Sequence, residues 1–162
     1  MIKQLIKNWT LLVTLCMLTM VTSYAQAPSK AEVKINELVK KYENIKGVEC
    51  MSVGKGIGLN IVKLMFNKQF GKEFMKGVTS ITIIEYGDAT PQTCMALHKE
   101  LDAFTPLLQE FNIGQEKEFA DNDYIRSFAT TLDENTISDF LVAVENKDSK
   151  VIMYMAGKIK VK

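Results

Sequence analysis

The sequence predicts an α+β domain: an antiparallel sheet ending in a C-terminal β-meander, with about three helices packed on one face. Three observations lead there. The stretch "VTSITIIEYG" (78–87) is β-branched almost throughout and reads as a strand. After Gly114 come four strand-like segments, "EKEFA", "DYIRSFATTL", "SDFLVAVEN" and "KVIMYMAGKIKV", separated by "DNDY", "DENT" and "NKDS". These separators are rich in turn-forming residues, and strands joined by such short turns pair antiparallel. Before them, three segments carry apolar residues at helical spacing.

The elements follow in order. Met1 to Asn8 carries Lys3 and Lys7 and no acid, and Trp9 to Val21 is free of charge. "TSYAQA" then offers Ser23 and Ala25 as small residues, which completes the three-part pattern of a secretory signal peptide. The apolar run falls short of the ~20 residues of a spanning helix. Cleavage is expected after Ala25, so that residues 1–25 leave as a signal peptide and 26–162 form a single domain. A lipoprotein site at Cys16 is disfavoured, because Leu15 precedes it and the apolar core runs on beyond it.

"APSKAEVKINELVKKYENIKG" starts at Pro28 and Ser29, stops at Gly47, and spaces Ile35, Leu38, Val39 and Tyr42 as one helical face. "VECMSVG" reads as a strand. "LNIVKLMFNKQFGKEFMKG" is a second helix with Phe66, Phe70 and Phe74 four apart, bent or ended at Gly71. "TPQTCMALHKELDAFTPLLQEF" has Thr90 as N-cap and Pro91 at the first helical position. Its stripe is Leu97, Leu101, Phe104, Leu108 and Phe111, with a kink or an early end at Pro106. Gly157 marks a bend or bulge in the last ribbon. The meander strands alternate imperfectly but keep their charges at their ends, so the helices are expected on one face only.

Without the leader, 18 basic residues face 19 acidic ones, a net charge of −1. Neither this balance nor export points to nucleic acid. The charge is uneven: Lys30 to Lys76 holds 10 basic and 5 acidic residues, and the chain from Gly77 onward holds 8 and 14. Solvated faces of different composition account for this; opposite faces that meet are the sharper alternative.

The order of segments is itself informative. The leader, "KYENIKGVECMSVGK", "LNIVKLM", "VTSITIIEYG" and the ending "FLVAVENKDSKVIMYMAGKIKV" resemble the domain of unknown function 4252 family of exported Bacteroidetes proteins. The resemblance spans about residues 32–161 and rests on overall pattern, with a final strand pair closing on Gly157-Lys-Ile. It implies export, to the periplasm or the cell exterior, and a domain extent. It implies no site residues, since the family has no established activity. Members are often encoded near envelope-stress regulators, which implies envelope biology.

Candidate chemistry is sparse. Gly54-Lys55-Gly56-Ile57-Gly58 has G-x-G-x-G spacing, whereas a dinucleotide site needs G-x-G-x-x-G and a P-loop needs G-x-x-x-x-G-K-[ST]. A flexible strand-to-helix connection explains it, with an anion-binding turn as the residual reading. Cys50 and Cys94 are the two cysteines after the leader. An oxidising compartment permits a disulfide between them, and packing as two small apolar side chains is the alternative. Cys94 and His98 lie four apart on one helix and are the weak metal candidates. With Cys50, Met95, Met153 and Met155 they make a soft-ligand set that lacks diagnostic spacing. No cofactor is expected. A Cys–His dyad approaches from separate elements, unlike these two. The acids of "EKEFADND" (116–123) fail the EF-hand pattern, and Glu100 and Asp102 face different ways on their helix.

Two functions remain. The first is a non-catalytic binding or interaction module of the cell envelope that uses an exposed sheet face or edge, its partner an envelope protein or a small ligand. The second is a small-ligand binder or enzyme whose site is dispersed along the sequence.

Overall fold

The computed structural model describes residues 27–110 and 124–161. Helix α1 (Lys30–Tyr42) begins where the Ser29 hydroxyl accepts the Glu32 N–H at 3.0 Å, and it buries Ala31, Ile35, Leu38 and Tyr42 along one stripe. Strand β1 (Glu49–Val53) leads into α2 (Ile57–Phe70), which ends at Gly71, and into the short α3 (Lys72–Gly77). Then come β2 (Val78–Glu85) and α4 (Pro91–Asp102), whose cap Thr90 accepts the Thr93 N–H at 3.2 Å. A two-residue β3 (Gln109–Glu110) precedes the meander β4 (Tyr124–Asp133), β5 (Thr136–Glu145) and β6 (Lys150–Gly157), and β7 (Ile159–Lys160) closes the fold.

The sheet runs β1-β2-β6-β5-β4-β3, with β7 also against β5, and every pairing is antiparallel. The α+β class, the antiparallel sheet and its C-terminal meander are as the sequence predicts. The turns "DENT" and "NKDS" close as Asx turns. Asp133 Oδ1 accepts from the Asn135 N–H at 2.9 Å, and Asn146 Oδ1 accepts from Asp148 and Ser149 at 2.9 and 2.8 Å. The segment "EKEFA", the turn "DNDY" before Tyr124, and Phe111 lie outside the described residues.

The distribution of helices corrects the sequence reading. Successive side chains of a strand point to opposite faces, and here both faces are buried. On one side Ile84, Leu141, Ala143, Ile152 and Tyr154 pack under α1 and α4. On the other, Ile81, Ile83, Phe140, Val142, Met153 and Met155 pack under α2 and α3. The four helices of the described residues therefore divide two and two, where about three on one face were expected. The near-continuous apolar runs "ITII", "FLVAV" and "VIMYM" are the cause: a sheet covered twice has no solvated side to alternate with.

Helix α4 is also shorter than its apolar stripe suggests. Continuing it through Pro106 would press the pyrrolidine ring against the carbonyl four residues earlier, and the residue before a proline avoids the helical region. The chain leaves at Asp102 and tightens, with Phe104 O accepting both the Leu107 and Leu108 N–H groups at 2.8 Å. Phe104 and Leu108 stay buried, now held from a turn.

Two details fix the end of the sheet where β6 passes into β7. Gly157 has φ 125° and lies so close to the backbone of Gly77 that an added Cβ would meet Gly77 O at 2.1 Å. Facing it, β5 crosses from β6 to β7 through Asp139, the non-glycine residue with positive φ (52°) among those described. Its Oδ1 accepts the Tyr154 hydroxyl at 2.5 Å and the Ser29 hydroxyl at 2.6 Å, which ties the cap of α1 to the strand crossover.

Candidate functional site

Two regions of the molecule carry chemistry. The first surrounds the residues that the sequence singled out. Strand register places Tyr124, Glu145 and Lys150 directly opposite one another across β4, β5 and β6, on the face beneath α4. Tyr86, just past β2, joins this row by donating its N–H to Lys150 O at 3.0 Å. Cys94 and His98 reach down from α4, one turn apart.

The contacts form a chain. Lys150 Nζ lies 3.0 Å from Glu145 Oε1 and 3.7 Å from Cys94 Sγ. His98 Nε2 lies 2.9 Å from Glu145 Oε2, an oxygen cut off from solvent. That oxygen makes no hydrogen bond, and the hydrogen-bonding partner of Nε2 is the Tyr86 hydroxyl at 3.4 Å. The imidazole stacks on Tyr124, with ring centroids 4.1 Å apart and planes 11° from parallel. Glu145 holds the Lys150 ammonium above its ordinary pKa. Burial, followed by the charge of Glu145, pushes the Tyr86 phenol up.

This row pins α4 to the ends of three strands. Glu145 lies between Lys150 and His98, and the Cys94 thiol contacts Lys150 Nζ at 3.7 Å and Ala89 O at 4.0 Å. Cys50 lies on β1, half-buried, its thiol raised to about 11 by burial and then by Glu43. Cys50 and Cys94 are both free thiols, so the disulfide that the sequence permits is not formed here. The soft-ligand set does not assemble either. Met153 and Met155 lie on the opposite sheet face from Cys94, and Met95 points to solvent at 63% exposure. Among the described residues no three His, Cys, Asp or Glu side chains converge as metal ligands.

Glu100 and Asp102 act as fasteners on separate sides of α4. Glu100 pairs with Lys41 of α1, and Asp102 pairs with Arg126 at 2.7 Å. Arg126 also binds Glu110 through two nitrogens at 2.7 and 3.0 Å, and its guanidinium lies 4.8 Å from the Phe128 ring centroid. The residues 116–123 lie outside the described set. A groove of about 340 Å³ runs along the α1–β1 connection, lined by Glu43, Lys46, Glu49, Glu85 and Asp88 among others.

The second region is the outer surface of α2 and α3. The loop Gly54-Lys55-Gly56 turns the chain from β1 into α2, with Gly56 as N-cap at φ 141°. A Cβ at Gly54 or Gly56 would meet nothing within 4 Å, so the loop is an open turn and not a close cradle. Leu59 and Val62 point inward, followed by the partly buried Phe66 and Phe70. Phe66, Phe70 and Phe74 stack in series at 5.9 and 5.3 Å, and Phe74 meets Phe140 of β5 edge-on at 5.6 Å. Outward, at spacings of four, three and one, come Ile57, Ile61, Leu64 and Met65. Ile57 is 76% exposed and Leu64 70%. Helix α2 is apolar on its inner and its outer side, with Asn60, Lys63 and Asn67 along one flank, and among the described residues only its inner side is covered.

Lysines ring that apolar stripe. Lys55 precedes it, Lys68 extends it, and Lys72 and Lys76 follow on α3, all exposed. Between residues 54 and 77 the one acid is Glu73. Lys63, nearer the sheet, points its ammonium to Lys76 O at 3.4 Å and has its pKa lowered by burial.

The fold and these two regions define an open antiparallel sheet with helices on both faces. Comparison with known protein families, curated proteins and solved structures finds no match. Among the described residues no helix is long and apolar enough to cross a membrane.

Proposed function

We propose that this chain is a non-catalytic binding module of the cell envelope, exported as its resemblance to the domain of unknown function 4252 family implies, and that the outer face of α2 is its recognition surface. One observation carries the reading: α2 buries Leu59 and Val62 and still presents Ile57 and Leu64 to solvent. Contiguous apolar surface ringed by charge is the usual mark of an interaction site. Of the exposed sheet face or edge expected from the sequence, the face gives way to this helix, since both faces are covered. A link to envelope stress belongs to the same proposal.

The test is a photo-crosslinking residue at position 64, expressed in intact cells, with position 147 on the β5–β6 turn as the control. Position 64 should give discrete adducts with envelope components that position 147 does not. Equal, diffuse labelling at both would end the reading.

The ionisable row favours a second reading, a small-ligand binder or enzyme. It brings a thiol, an ammonium, a carboxylate and an imidazole together from three elements. Reversible protection of Cys94 from a thiol reagent by a metabolite pool would support it. Labelling of Cys94 that no metabolite alters would leave the row a structural fastening.

A further inference from the structure

Resting on the binding-module reading, we propose that the surface α2 recognises is an anionic lipid bilayer, with the helix lying along the headgroup boundary. The stripe Ile57, Ile61, Leu64 and Met65 is about 12 Å long at the helical rise. It is bounded at one end by Lys55 and at the other by Lys68 and Lys72. An apolar strip closed by cations, on a helix packed flat over a rigid sheet, is the arrangement that lets side chains enter the acyl boundary while ammonium groups stay with phosphates.

Composition separates lipid from protein as the partner. Protein hot spots favour aromatic side chains and arginine seated in pockets. This stripe has no aromatic residue on its outer side and no arginine beside it; the chain's one arginine, Arg126, is committed to Asp102 and Glu110 beneath α4. Lysine presents a compact charge on a flexible stem, suited to diffuse headgroup charge and poorly suited to planar, bidentate recognition. Charge complementarity points the same way, with four exposed lysines against Glu73. The acidic balance of the rest of the chain would keep its other faces away from an anionic surface.

The experiment uses the protein purified after export, its N-terminus read by sequencing. Sedimentation is measured with vesicles of phosphatidylcholine alone and with vesicles that carry about one-third phosphatidylglycerol. Binding should require the anionic lipid and weaken as salt rises from about 0.1 to 0.5 M, because exposed charges are screened. Lys68→Glu should lower partitioning on the order of tenfold, and Leu64→Asp should do so at least as strongly. Lys147→Glu, a reversal of equal size on the distant turn, should change it little. All three sites are exposed, and unchanged melting curves confirm folding. Equal binding to neutral vesicles, no binding, or undiminished binding by the Leu64→Asp/Lys68→Glu double variant would each overturn the proposal. If vesicles fail but position 64 crosslinks to an acidic envelope protein, the lipid is refuted and the binding module stands. If both fail, both fall.

Discussion

Replacing Asp139 by glycine sets two effects against each other, and the structure says which is larger. Asp139 sits at φ 52°, a left-handed conformation that costs a non-glycine residue roughly 1–2 kcal/mol and costs glycine nothing. On conformation alone, Asp139→Gly should stabilise. The carboxylate, however, accepts the Tyr154 hydroxyl at 2.5 Å and the Ser29 hydroxyl at 2.6 Å, and Ser138 lies 3.2 Å from its other oxygen. Hydrogen bonds to a charged group contribute about 1.5–3 kcal/mol each, and a buried donor left unmade costs more than one removed. Tyr154 is fully buried, so its hydroxyl has no water to turn to. The two short bonds lose about 3–6 kcal/mol, and the relieved strain returns about 1–2, for a net loss of about 1–5 kcal/mol. In urea this is a midpoint lowered by about 0.5–2.5 M with little change in slope. Tyr154→Phe removes donor and hydroxyl together and should cost less. The double variant should cost less than the sum of its parts, since the two groups serve one interaction. An Asp139→Gly chain as stable as the parent would show that the strain outweighs the bonds.

Other expectations are quicker to state. Arg126→Ala, which releases Asp102 and Glu110 and uncovers Phe128, should destabilise by about 1–3 kcal/mol in the same urea assay. The Arg126 hydrogen bond holds Glu110 below its ordinary pKa, so its contribution is present above about pH 4.5 and lost as pH falls through the lowered folded value. The acid limb of stability should therefore flatten in Arg126→Ala, though only modestly for so exposed a carboxylate. Cys50 has its pKa raised from 9.0 to about 11, which leaves about a hundredfold less thiolate at pH 8, and iodoacetamide should label it slowly until the chain unfolds. The sign for stability is the reverse of the Glu110 case: the Cys50 contribution is intact below pH 9 and declines as pH rises toward 11. Leu101→Ala, at a fully buried site between α4 and the sheet, should cost about 2–5 kcal/mol by thermal or urea unfolding.

How much of this was legible in the chain follows from how local each signal is. Ser29 and Thr90 announce their helices because a cap is a contact over three residues, and Pro91 because its ring suits a first turn. The turns at Asp133 and Asn146 are equally local. What escaped is what register decides. Glu145 and Lys150 look like ordinary turn-flanking charges in the sequence. They meet His98 and Cys94 only because β5 and β6 pair as they do and α4 crosses above them. Asp139 gave no sequence sign of its role, since its partners Ser29 and Tyr154 lie 110 and 15 residues away.

Two apolar patterns in the chain, one in the meander strands and one in α2, share one physical origin. Imperfect alternation in the meander strands reads as a sheet covered on one face, whereas unbroken apolar runs are what a doubly covered sheet requires. Helix α2 offered the same kind of excess: more apolar residues than one buried stripe can use. In the strands the excess is absorbed, because a second layer of helices lies over it. In α2 nothing described here covers it, and Ile57 and Leu64 remain in water. An apolar count that exceeds what the described fold encloses is thus a sequence signal that points outward, and the exposed lysines beside it make that surface cationic.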